Sequence, residues 1–386
     1  MRPEFSLRES TARIVVGFLM NDSRTPIRGS FGVIERYWKY LPVTEGTPVI
    51  SLNEGATPLI LSVRLSALVG RGRKVYLKYE GLNPTGSFKD RGMTLAVSKA
   101  VEKGAKLVIC ASTGNTSAAA AAYAARAGIQ CAVLLPVGRI ALGKLAQAFA
   151  YGAVVIGLQG HFDQCLQLVR EFSNETGVVV VNSINPDRLE GQKTASFEVA
   201  DELGDAPHLH ILPVGNAGNI SAYWKGYREY LHLGITTRLP MMLGLQASGA
   251  APIYYNRLIP DPDTAASAIR IGNPAGWSTA MAAIADSRGA IDIVSDEEIF
   301  AAQRWLASNE GVFAEPASAA SVAGLLKCCT DSSYARSLLA TVPDEGVIVC
   351  TLTGHGLKDV ACVLNEHTKP VRVSPTKSAI LSILEG

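Results

Sequence analysis

Residues 106–136 read KLVICASTGNTSAAAAAYAARAGIQCAVLLP, and their pattern decides the fold. Lys106–Ala111 is an apolar run of strand length. Thr116–Ala127 is alanine-rich and helical, with Gly128 placed to end it. Gln130–Pro136 is a second apolar strand. Strands that are apolar without alternation, joined through a helix, belong to parallel sheets covered on both faces. Further along, the pattern predicts helices at Leu142–Tyr151, Phe162–Thr176, Gln192–Leu203 and Ile220–His232. Strands are predicted between them at Val154–Gly157, Val178–Val181 and His208–Val214. Pro260–Asn273 opens with turn formers, lacks periodicity and reads as a long surface connection. Helices at Trp277–Ala285, Asp296–Asn309 and Ala317–Cys329 and a last strand at Gly346–Thr351 complete the pattern. The expected fold class is α/β with largely parallel sheets, a class that binds ligands at the carboxyl ends of its strands.

The chain has 386 residues, enough for two domains that share a cleft. A formal net charge of +2 with no basic block excludes nucleic acid as an expected partner. Seven cysteines, irregularly spaced, fit neither a disulfide framework nor a zinc site. Cys110, Cys131 and Cys350 lie in apolar runs, as buried free thiols do, and a reducing cytoplasm is the expected compartment. No apolar run approaches the roughly 18–20 residues that span a bilayer, so no membrane association is expected. Arg2, Arg8 and Arg13 precede an apolar Ile14–Met20, but Glu4 and Glu9 interrupt them and no small-residue cleavage site follows. Residues 1–30 are read as a poorly ordered extension.

Five loops carry the chemistry. Asn83-Pro84-Thr85-Gly86-Ser87-Phe88-Lys89-Asp90-Arg91-Gly92 brings one lysine by a turn to the start of a helix. Ser87 is available as a cap, and Asp90 falls in the first turn, where a carboxylate is favoured. A lysine that forms a Schiff base has to be held partly desolvated and near neutral. The loop from Ala111 to Ser117 opens a helix with hydroxyls, Asn115 and backbone N–H groups, and so offers an anion site. Gly215-Asn216-Ala217-Gly218-Asn219 suits a backbone nest around a phosphate. Residues 181–194 bring Ser183, Arg188 and Lys193 to one sheet edge, where Arg188 can clamp a second phosphate. Thr353 ends the last strand with a hydroxyl. Each loop alone has a plainer reading: a helix cap, a tight turn, or an Arg188 ion pair with Asp187 or Glu190. His355 reads as a capping or packing residue. The glycine spacing fits no nicotinamide fingerprint, and neither H-E-x-x-H nor G-x-S-x-G occurs.

Taken together, these loops resemble the threonine synthases of the short bacterial and archaeal type, within the fold-type II pyridoxal-phosphate enzymes. The resemblance also covers Gly32–Tyr37, Asn53–Leu59 and Glu315-Pro316-Ala317-Ser318-Ala319-Ala320. It implies two doubly wound domains of the tryptophan synthase beta-like fold, with the cofactor in the cleft between them. The large domain is then expected at 31–91 and 181–386, and the small substrate-carboxylate domain at 92–180. By the same resemblance, Lys89 is the Schiff-base lysine of pyridoxal 5'-phosphate. Gly215, Asn216, Ala217, Gly218 and Asn219 hold the cofactor phosphate, Asn115 its phenolic oxygen and Thr353 its ring nitrogen. Ser112, Thr113 and Thr116 receive the substrate carboxylate, and Ser183, Arg188 and Asn216 the substrate phosphate. No metal is expected. The implied reaction is γ-elimination of phosphate from O-phospho-L-homoserine and β-addition of water, giving L-threonine, in a cytoplasmic homodimer. A threonine or serine dehydratase on the same scaffold, and a non-catalytic cofactor-binding paralogue, are the alternatives.

Overall fold

The computed structural model describes residues 31–112, 114–137, 142–159, 162–183, 185–330, 334–362 and 370–384. The expectations for residues 1–30 and for Thr113 lie outside these. Among the described residues ten strands form two sheets: β1 (Leu59–Ser62), β2 (Lys74–Tyr79), β3 (Leu107–Ala111), β4 (Gln130–Pro136), β5 (Val154–Leu158), β6 (Val179–Val180), β7 (Leu209–Pro213), β8 (Met241–Ala247), β9 (Ala290–Val294) and β10 (Val347–Leu352). The larger sheet has the order β1-β2-β10-β7-β8-β9, and the smaller the order β5-β4-β3-β6. Only β1 runs antiparallel to its neighbour.

Successive residues of the central strands enter opposite cores, which explains why these strands lack polar alternation. Ile348, Cys350 and Leu352 of β10 face one cluster with the Pro316–Thr330 helix. Val349 faces the other, with Ile220, Tyr223 and Tyr227 of the Gly218–His232 helix. In the smaller sheet, Val108, Cys110 and Val133 pack on Ala119–Ala124, where methyl side chains bring helix and sheet close together. Six cysteines are free among the described residues, five of them buried.

Several boundaries differ from expectation for local reasons. The helix predicted at 192–203 begins at Pro186, because Asn185 caps it, accepting from Asp187 N at 2.9 Å, and proline occupies its first turn. The strand predicted at 178–181 shortens to β6. Beyond it, the Asn182 side chain takes over the pairing, accepting from Ala111 N (2.9 Å) and donating to Ala111 O (2.8 Å). The helix predicted at 296–309 is α-helical to Trp305 and then widens into a π turn that Gly311 ends at φ 67°. The stretch 260–273 is not wholly at the surface, since Ala266 and Ile269 enter the core.

The Lys89–Glu102 helix is not capped by the Ser87 side chain as expected. Its cap position is Phe88, and Ser87 Oγ lies a long 3.4 Å from Lys89 N. Asp90 instead turns back to accept from Thr85 N (2.7 Å) and Thr85 Oγ1 (2.5 Å). This helix meets the Pro186–Leu203 helix through two glycines. A Cβ on Gly191 would stand 2.0 Å from Arg91 O, and one on Gly92 would stand 2.8 Å from Arg188 O. The contact requires glycine at both points, and it sets the backbone of Arg188 against the first turn that carries Lys89.

Candidate active site

Three adjacent strands deliver one half of the site. β10 lies between β2 and β7, parallel to both. Their carboxyl ends lead into the Lys89 loop from β2, Thr353 from β10 and the Gly215–Asn219 loop from β7. The first two segments are zipped together: Phe88 N donates to Thr353 O (3.0 Å) and His355 N to Gly86 O (2.9 Å). In the smaller sheet, β3 leads to Ser112–Thr116, and its neighbour β6 to Ser183 and Arg188. The two halves meet where Asn115 Nδ2 reaches both oxygens of Glu315 at 3.1 Å.

Lys89 is half-buried, with its ammonium nitrogen 4.2 Å from the Phe88 ring centroid. Desolvation, reinforced by the nearby Arg188 charge and partly offset by Glu315, lowers its amine from 10.5 to about 7. Near neutral pH the amine is therefore largely available as a nucleophile or base. Below it lies a buried ionic cluster. Arg91 donates to Glu80 (2.6 Å) and Glu198 (2.6 Å), and Lys78 to Glu198 (2.8 Å). Burial alone would raise the Glu198 carboxyl, but Arg91 and Lys78 outweigh it and hold it well below the usual range.

The β7 loop turns through Ala217 in the left-handed region (φ 65°), a conformation that points successive N–H groups to one side. Among the described residues, no protein acceptor takes the N–H groups of Gly215, Asn216 or Ala217. Asn219 is buried, and neither of its side-chain polar atoms has a partner among the described residues. Thr353 is 5% exposed, with its hydroxyl 2.9 Å from Ser318 Oγ and 3.5 Å from Glu315 Oε1. Buried polar groups without partners are rare, and their chemistry here matches a phosphate with its ring. An anion cradle, a nearly neutral lysine and a neutral hydroxyl all fit pyridoxal phosphate.

Arg188 is fully buried, and the expected alternative of a surface ion pair does not hold. Glu190 pairs with Lys193 and Lys225. Arg188 donates from Nη1 to Val181 O at 3.2 Å, while Nε and Nη2 have no partner among the described residues. Burial lowers its guanidinium to about 10, so it remains charged at neutral pH. Asn216 Nδ2 donates to Ser183 Oγ, which brings two more of the predicted residues together. Ser112 Oγ accepts from Gly114 N at 3.2 Å, and Thr116 is half-buried on the same helix start. Lys193 stays out of the cleft, paired with Glu190 and Glu229. His355 packs against Tyr79 and Phe313, and its Nδ1 accepts from Leu357 N, consistent with a packing role. Glu315 was not predicted as a site residue. Its one sequence signal is a carboxylate before Pro316 at a helix start, and burial raises its carboxyl. Among the described residues, no group of three or more His, Cys, Asp or Glu could hold a metal.

The family model of pyridoxal-phosphate dependent enzymes matches residues 50–354, which include the loop lysine, the nest and Thr353. The chain belongs to this family. Among curated proteins it is 56% identical to a threonine synthase of Halalkalibacterium halodurans, over 92% of this chain and 98% of that one. It is 55% identical to a threonine synthase of Synechocystis, over 88% of this chain and 87% of that one. Among solved structures it resembles maize serine racemase, with a TM-score of 0.69 at 21% identity over 88% of this chain and 96% of that one. The family accounts for the fold-type II architecture expected from the sequence. No helix of the described residues is long and apolar enough to cross a membrane.

Proposed function

We propose that this cleft converts O-phospho-L-homoserine and water into L-threonine and phosphate, as a threonine synthase. The observation that carries the reading is a second anion site beside Lys89. Arg188 is buried with two free donors, apart from the β7 nest that suits the cofactor phosphate. A dehydratase acting on free threonine has no use for it.

In this reading Lys89, Gly215, Asn216, Ala217, Gly218, Asn219, Asn115 and Thr353 hold pyridoxal phosphate, which when bound supplies an electron sink for the pair left at Cα. Ser112, Thr113 and Thr116, at a helix N-terminus, receive the substrate carboxylate. Lys89, uncharged at its amine, takes the Cα proton and returns one at the end. Loss of a further proton from Cβ supplies the pair that expels phosphate from Cγ, with Arg188, Ser183 and Asn216 holding that phosphate and stabilising its departure; Cγ is then protonated and water adds at Cβ. A hydroxyl at Thr353, unlike a carboxylate, does not hold a proton on the ring nitrogen. The division into 92–180 inserted between 31–91 and 181–386, a homodimeric assembly and a cytoplasmic location belong to the same reading. The test is phosphate release from O-phospho-L-homoserine against keto-acid release from free threonine. Turnover of threonine alone would replace this reading with a dehydratase.

A further inference from the structure

The helix Leu142–Ala150 belongs with the smaller sheet: Leu145 and Ala148 pack among Ala119–Ala124 of the helix that begins at Asn115. One residue of it reaches out of that core. Gln147 Nε2 donates to Thr85 O at 3.2 Å, and Gln147 Oε1 accepts from Lys358 Nζ. Lys358 Nζ also donates to Thr85 O at 3.0 Å. Thr85 is thus gripped from both sides, since its N–H and hydroxyl are held by Asp90, the residue after Lys89. Lys358 follows β10 by six residues, in the segment already zipped to the Lys89 loop. Its methylenes lie over Gly86, where a Cβ would stand 3.1 Å from Lys358 Cδ.

We infer that Lys358 and Gln147 are positioning residues. They form a latch that, beside the packing of Ala119–Ala124 with Met93, Ala96 and Val97 of the Lys89 helix, fixes the smaller sheet, and with it Ser112 and Thr116, at a set distance from Lys89. The inference rests on the reading of Lys89 as the reactive lysine and of Ser112–Thr116 as the carboxylate subsite. Neither latch residue touches a reacting atom; both act through the Thr85 carbonyl. The proposed cofactor contacts lie mainly on the larger sheet, so loosening the latch weakens substrate capture and leaves cofactor binding intact.

The experiment uses the holoenzyme with O-phospho-L-homoserine. Gln147→Ala and Lys358→Met are each expected to raise KM about tenfold, with kcat within about threefold and the near-visible cofactor band unchanged. The double variant is expected to be no worse than the poorer single one, because both changes break one device. Lys358→Arg, which can still donate to both acceptors, is expected to restore most of the loss. KM within twofold of wild type in both single variants would overturn the inference, as would losses that multiply in the double variant. The lysine assignment is checked separately by loss of the band in Lys89→Ala, which tells its failure apart from a failure of the latch.

Discussion

Replacing Arg188 by methionine should make the protein more stable and much less active. The opposite signs come from the way Arg188 is held. Its guanidinium is fully buried, and two of its donors have no acceptor. Leaving buried donors unpaired costs about 1–3 kcal/mol, and methionine removes that penalty while filling much of the same volume. The lost bond to Val181 O returns about 1 kcal/mol of the gain. A net stabilisation of up to about 2 kcal/mol remains. At about 2.1 cal/mol/K per residue, a chain of 386 residues has an unfolding entropy near 0.8 kcal/mol/K, so the gain corresponds to at most roughly 2–3 °C. In the reaction, loss of a buried charge contact to phosphate costs about 2–4 kcal/mol, or roughly 30- to 1000-fold in kcat/KM. The assays are thermal unfolding of the cofactor-loaded protein with and without inorganic phosphate, and steady-state kinetics. With the β7 nest filled on loading, as proposed above, phosphate at ten times its Kd should stabilise the wild type by about 1.4 kcal/mol through Arg188 alone and leave the variant unchanged. A variant that melts lower than wild type, or that phosphate still protects, would show Arg188 to be a structural cation and not a ligand site held in wait.

Other consequences follow from the same geometry. With its amine at about 7, Lys89 is charged below that value, so covalent uptake of pyridoxal phosphate by the apoprotein should rise with pH and level off above about 7, followed by near-visible absorbance; a rise continuing to pH 10 would contradict the desolvation argument. Gly191→Ala pushes a methyl against Arg91 O and should cost about 1–3 kcal/mol in denaturant unfolding, while lowering kcat/KM by displacing Arg188 from Lys89; a silent variant would show that the helices part without consequence. Glu198→Gln leaves Arg91 and Lys78 short of their carboxylate and should cost about 3–5 kcal/mol at pH 7. Because the folded carboxyl lies below its ordinary value of 4.5, its contribution is present above that value and disappears as pH falls through the folded one. The gap between wild type and Glu198→Gln in urea titrations should therefore narrow below about pH 4, and a constant gap would refute the pairing.

The parallel sheets were legible because their strands are apolar on both faces, a pattern that β10 and β7 satisfy by feeding two cores at once. The chemistry-bearing loops were legible because each follows a strand and opens on glycine, asparagine or hydroxyl residues. Side-chain substitution for backbone was not. Asn182 completes the β3 edge in place of a peptide, and nothing in Val181-Asn182-Ser183 distinguishes that role from a turn. The position of Glu315 was equally hidden, since its partners Asn115 and Thr353 lie 200 and 38 residues away in the chain. Ser87 was misread as a cap because the Asp90 carboxylate, expected to face the helix start, is committed to Thr85.

The two anion sites proposed for substrate are tied to the larger sheet in different ways, and that difference has a measurable consequence. Arg188 sits on a helix fused to the Lys89 helix through Gly92 and Gly191, a backbone contact with no freedom to slide. The helix that begins at Asn115 has no such backbone weld: its alanines share an apolar cluster with Met93, Ala96, Val97 and Ala100 of the Lys89 helix, Asn115 meets Glu315, and the Leu142–Ala150 helix adds the Gln147–Lys358 contacts. The backbone distance from Arg188 to Lys89 is therefore set by the glycine contact, whereas the carboxylate end, joined through side chains, also depends on the latch. Gln147→Ala should accordingly raise KM for O-phospho-L-homoserine while leaving the Kd of inorganic phosphate, measured by calorimetry on the loaded protein, within about twofold. Equal weakening of both ligands would mean that the smaller sheet also sets the Arg188 site, and that the glycine contact is not the rigid joint its geometry requires.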